Sequence, residues 1–187
     1  IHVAAGDVAG LWAGLAWMER EMRVRRGPFL PRGQFARSAA WRTQISQGPW
    51  LGNYSVPDLS PEYLDDDSFR LYAHYGVNSM MIYGDMLCYV KSALLPELNH
   101  PEADRHLVDL GEAARRAARY GVRFSYVVVG PKLLASHPVF RAHPSARGAG
   151  ARTRVSGDII HFLCSSDETV LAFYEEFFRQ LCRAAPE

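Results

Sequence analysis

The chain has 187 residues, 48% hydrophobic and 22% charged, with a formal net charge of +1. This is a globular composition without a global field for nucleic acid or an anionic membrane, so neither is expected as a partner. No apolar run approaches the ~20 residues of a membrane span. Cys88, Cys164 and Cys182 form no CxxC spacing and read as buried or semi-buried thiols, not as a disulfide framework or zinc site.

In chain order, "IHVAA" (1–5) suits a short strand. "DVAGLWAGLAWMEREMRV" (7–24) suits a helix with Leu11, Leu15 and Met18 on one side. "GPFLPRG" (27–33) follows as a linker. Residues 1–33 are read as the end of an accessory α/β domain, and 34–187 as the body of a second domain. That body opens on "QFARSAAWRTQIS" (34–46), an expected strand, and then a loop holding Gly48, Pro49, Gly52 and Pro57.

A hidden repeat organises the middle. "AHYGV" (73–77) and "ARYGV" (118–122) share a pattern, each followed by an apolar run that closes on Gly. In both, a helix ends, Gly takes a left-handed conformation and a strand starts. The strands are expected at 77–83 and 122–129. The second is nearly continuous in Val and aromatic residues, as in a parallel strand covered on both faces. The helix before the first strand is expected at 60–75, with Ser60 as cap, Pro61 at its first position and Phe69, Tyr72 and Ala73 inward. The helix before the second is expected at 101–120, with Leu107, Leu110, Ala114 and Ala117 inward and Arg115, Arg116 and Arg119 in solvent. A long loop follows, with Asp158–Ile160 and "HFLC" as a short return strand. A last helix at 166–184 is capped by Ser165, with Val170, Tyr174, Phe177, Phe178 and Leu181 on one face. Alternating strands and helices imply a parallel sheet with right-handed crossovers. The repeat length suits successive βα units of a (β/α)8 barrel.

In such arrays ligands bind at the carboxyl ends of the strands. Arg37 and Arg42, on the first strand, are candidate forks for sugar hydroxyls or a carboxylate. Trp50 is a candidate stacking plate. Tyr83 and Asp85 close the second strand, and Asp85 either binds a sugar hydroxyl or caps the following turn. A single carboxylate cannot perform two-carboxylate glycoside hydrolysis. The basic residues after the third strand, from Lys132 to Arg154, suit steering of an acidic sugar. His137 and His143 sit in that loop with no acid partner in the sequence, which does not suggest a metal site. GxGxxG, Walker, GxSxG and HExxH patterns are absent, so no cofactor and no metal is expected.

"IHFLCSSDETVLAFYEEFFRQL" (160–181), with "DVAGLWAGLAWMEREM" and "GPFLPRGQFARSAAWR" upstream, resembles hexosaminidase-like and α-glucuronidase-like glycoside hydrolases. Two positions depart from that pattern: Ser165 follows Cys164 where Pro is usual, and Arg37 precedes Ser38 where Gly is usual. The resemblance implies the end of a small α/β domain followed by the first three βα units of a (β/α)8 barrel. It implies a carbohydrate substrate, hydrolysis of O-glycosidic bonds by the parent enzyme, and catalytic acids after a fourth strand beyond Glu187. The other partner expected is the remainder of the same barrel. The alternative is a non-catalytic carbohydrate-binding or structural module derived from such a barrel. Three strands alone leave open edges, so the segment by itself is expected to self-associate and to cleave no glycoside.

Overall fold

The computed structural model describes residues 1–47, 59–154 and 156–186. Helix α1 spans Val8–Val24, capped by Asp7, whose carboxylate accepts from the Gly10 N–H at 2.7 Å. Strand β1 (Ile45–Gln47), helix α2 (Asp66–His74), strand β2 (Ser79–Asp85), helix α3 (Ala103–Ala118) and strand β3 (Arg123–Val129) follow in alternation. The three strands form one parallel sheet in the order β1-β2-β3. The α/β class and the parallel order of the three strands are therefore as read from the sequence. The sheet is open among the described residues, with β1 and β3 as its edges.

The repeat has a structural cause. Gly76 and Gly121 have φ of 76° and 70°. At each, the next residue reaches back along its helix: Val77 N donates to Tyr72 O, and Val122 N to Ala117 O. This closure satisfies the last helix carbonyls and aims the chain straight into the sheet.

Several boundaries differ from the sequence reading. Residues 1–5 form no strand. Only the last part of the 34–46 segment pairs, because its partner β2 begins at Ser79 and offers no ladder further upstream. There the Asn78 side chain replaces it: Oδ1 accepts from Gln44 N at 2.8 Å and Nδ2 donates to Arg42 O at 3.0 Å. Helix α2 starts at Asp66, not beside Ser60. Ser60 and Leu64 close a separate turn, and Asp65 is the cap, accepting from Ser68 N.

Arg116 is also not in solvent. Its guanidinium donates to Leu59 O and Leu64 O and lies 5.5 Å over the Phe69 ring. It ties that turn to the helix layer, a role that carbonyls distant in sequence create.

The long segment after β3 folds into a second, antiparallel sheet, order β4-β6-β5. It comprises β4 (Leu133–Leu134), helix α4 (Pro138–Ala142), β5 (Arg147–Arg152) and β6 (Ile159–Leu163). The return strand at 159–163 matches the sequence reading, whereas β4 and β5 were not foreseen. The last helix, α5 (Glu168–Ala184), is capped by Asp167 accepting from Val170 N, not by Ser165. Its buried line is Val170, Phe173 and Phe177, and Phe178 faces outward. Burying each of the three contributes roughly 1.5–3 kcal/mol. The helix docks closely: a Cβ on Gly111 of α3 would stand 2.4 Å from the Ala184 carbonyl oxygen. Gln180 pairs with the Lys91 peptide, its amide donating to O and accepting from N.

Candidate functional site at the strand ends

The pleat sorts β2 into two faces. Met80, Ile82 and Gly84 are buried toward the helices. Ser79, Met81, Tyr83 and Asp85 lie on the opposite face, beside Arg123, Ser125 and Val127 of β3. Near the amino end of this open face, the Ser79 and Ser125 hydroxyls meet at 2.6 Å. At its carboxyl end stand Tyr83 and Asp85.

Of the two tasks considered for Asp85, the structure shows the capping one. One carboxylate oxygen accepts from Leu87 N at 2.9 Å and caps the 3-10 turn Met86–Tyr89. Burial pushes its pKa above the ordinary aspartate value, opposed by the Leu87 hydrogen bond and the Lys132 charge. Lys132 lies just beyond β3, so adjacent strand ends bring opposite charges together. The Cys88 thiol is pushed up by burial and by the charge of Asp85, which favours its neutral form.

The helix-facing side of this end is shaped by two phenols. A Cβ on Gly84 would stand 1.7 Å from the Tyr126 hydroxyl oxygen, so only glycine leaves room for that ring. Tyr89 meets Tyr126 edge to face at 5.5 Å. Both hydroxyls are buried without a completed hydrogen bond, and burial drives both far above the ordinary tyrosine range. They are neutral at any physiological pH. His106, buried in α3, meets the Cys88 carbonyl through Nδ1 at 2.8 Å and holds the turn after Asp85 in place. The Gly between Tyr83 and Asp85 was a readable signal of close approach within a strand. The phenols it accommodates come from elsewhere in the chain.

Tyr83 and Asp85 are brought together; the two arginines are not with them. The Arg42 carbonyl is held by Asn78, at the amino end of β2. The Arg37 guanidinium lies 5.5 Å over the Trp17 ring of α1. Both arginines precede β1 in a parallel sheet, so they enter at the end opposite Asp85. The length of β2 separates the two ends, about 20 Å. Trp50 lies outside the described residues. His143 does have an acid partner, Glu97, at 3.7 Å, and His137 caps α4 by accepting from Val139 N. Among the described residues no cluster of His, Cys, Asp or Glu could hold a metal ion. No described helix is long and apolar enough to cross a membrane.

A shallow groove between α1 and α2, lined by Trp12, Glu19, Asp67, Arg70 and His74, carries mixed charge. Its polar groups pair with each other, Arg70 with Asp67 and His74 with Glu19, rather than converging on a ligand. The carboxyl end of the sheet is therefore the better candidate site. No family model, no curated protein and no solved structure matches this chain.

Proposed function

We propose that the carboxyl ends of β2 and β3 form part of a carbohydrate-binding rim in an enzyme that hydrolyses O-glycosidic bonds. The observation that carries this reading is Asp85. It is half-buried at the end of the middle strand, oriented by the Leu87 N–H, with Tyr83 on the same face and the Lys132 charge nearby. A carboxylate held in this way suits accepting from a sugar hydroxyl, and a partly exposed tyrosine beside it suits packing on a ring face. The three strands and their crossover helices are read as the first βα units of a (β/α)8 barrel, where substrates meet strand ends. Arg37 and Arg42, at the other end, are not assigned to this rim.

A second reading, carbohydrate binding without catalysis by this portion, is favoured by one observation. Among the described residues Asp85 is the only carboxylate at the ends of β2 and β3, and glycoside hydrolysis ordinarily needs two. The test is saturation-transfer NMR with neutral methyl glycosides and with a methyl uronoside. Binding weakened about tenfold by Asp85→Asn, the loss of one charged hydrogen bond, is the expected result. Lys132→Gln should weaken only the uronoside. No binding to any glycoside, or binding indifferent to Asp85, would overturn the proposal.

A further inference from the structure

The two edges of the parallel sheet are unequal. Among the described residues β1 pairs over three residues, whereas β3 runs for seven. In β3 the Arg123 N–H donates to Asn78 O, toward β2. Alternation then sends the peptide groups of Phe124, Tyr126 and Val128 the other way. Among the described residues these three N–H groups have no acceptor. Natural edges are usually blunted by Pro, Lys, a bulge or extreme shortness. β3 carries none of these over its seven residues.

From this edge we infer that β3 is a self-association edge, and that its occupant is β3 of a second copy, antiparallel across a two-fold axis. The register is set by symmetry. Tyr126 pairs with Tyr126 of the second copy, and Phe124 with Val128. Each outward-facing residue then meets another outward-facing residue, and each gives and takes one hydrogen bond. Both helix layers fall on the same side of the continued sheet.

Charge selects this register. Arg123 is exposed, on the open face, with no ion-pair partner among the described residues. Across the axis it stands opposite position 129 of the second copy, and Asp85 is the next residue over, because Asp85 pairs with Val129. Two strand spacings, about 9–10 Å, separate the Arg123 and Asp85 backbones, and an extended arginine with an aspartate covers that gap. The contact occurs twice by symmetry, and each copy places a guanidinium beside the other's Asp85. The inference needs only β2 and β3, and it competes with the barrel reading, in which a fourth strand would occupy this same edge.

The test uses the whole chain in a dilution series, followed by light scattering and by amide hydrogen exchange. The expected result is a dimer whose formation protects the amides of Phe124, Tyr126 and Val128, while those of Ser125 and Val127 are protected at every concentration. Arg123→Glu, which sets two carboxylates against each other, should raise the dimer dissociation constant at least about tenfold while leaving the monomer's circular dichroism unchanged. A monomer throughout the series overturns the inference. So does a larger assembly, a dimer without protection at those three amides, or a dimer indifferent to Arg123→Glu.

Discussion

Helices α1 and α5 have the same length of 17 residues, and both carry an aspartate cap, yet they stand in opposite relations to the protein. α5 buries Val170, Phe173 and Phe177 completely, and α1 buries no residue. α1 touches the body through side contacts: Trp12 against Tyr120 at 5.6 Å, and Glu19 with His74 at 3.4 Å. Its apolar residues Leu11 and Leu15 remain 40% and 43% exposed. Local rules build both helices equally well, whereas the stability each adds depends on what its apolar side meets. Mutations should therefore be felt less the farther they lie from the β2–β3 layer.

The largest effect is expected at Phe177. Phe177→Ala empties a fully buried site and should cost about 3–5 kcal/mol, read from the urea midpoint at unchanged m-value. A loss below about 1 kcal/mol would place α5 with α1 instead of with the core.

Gly84→Ala comes next. The new methyl occupies the Tyr126 hydroxyl position, so the ring must leave its site, at a cost of about 1–3 kcal/mol. The double variant Gly84→Ala with Tyr126→Phe should recover part of that loss. Absence of any recovery in a double-mutant cycle would separate the two residues.

Asn78 tests the boundary between the strong and weak regions. Asn78→Ala strands the Gln44 N–H and the Arg42 carbonyl that its side chain serves. It should cost about 1–3 kcal/mol and release the β1 amides in hydrogen exchange before those of β2.

A smaller effect, with a definite sign, concerns pH. The Asp85 pKa is raised by burial, so its neutral form is the one the folded state favours. Its contribution to stability is present below the unfolded aspartate value and is lost as pH rises through the raised folded value. Asp167 runs the other way. Hydrogen bonds from Ser145 and the Val170 N–H lower its pKa, so its contribution is present above the unfolded value and lost as pH falls through the folded one. Asp85→Asn should flatten the fall on the alkaline side of the ordinary aspartate range, and Asp167→Asn the fall on the acid side. Thermal midpoints between pH 2 and 7 read both, and exchanged phenotypes would contradict the assignment.

The smallest effect is expected on α1. Leu15→Ala removes an exposed side chain from a helix and replaces it with another good helix former, so the change should stay within about 0.5 kcal/mol. A larger loss would mean that α1 is covered in solution.

The sequence by itself determined what a few neighbouring residues can decide. The two Tyr-Gly-Val junctions terminate helices and launch strands, because Gly at positive φ lets the next amide reach back to its own helix. Helical spacing found α1, α3 and α5, and the order of elements implied the parallel sheet. At the candidate site, Tyr83 and Asp85 were legible because a strand end is a local position. Only the tertiary structure decided where distant groups meet. The start of β1 depends on where β2 starts. Arg116 is drawn inward by carbonyls about 50 residues away in the chain. Arg37 stands apart from the site, its guanidinium over the ring of Trp17 on another element. Of the antiparallel sheet after β3, β4 and β5 escaped the sequence because β4 has only two residues and β5 is rich in Gly, Ala and Arg, with little alternation to read. Alternation reports burial on one face, and β5 has nearly none. Its pairing with β6 comes from backbone hydrogen bonds, which every residue but proline can make, so no side-chain pattern records it.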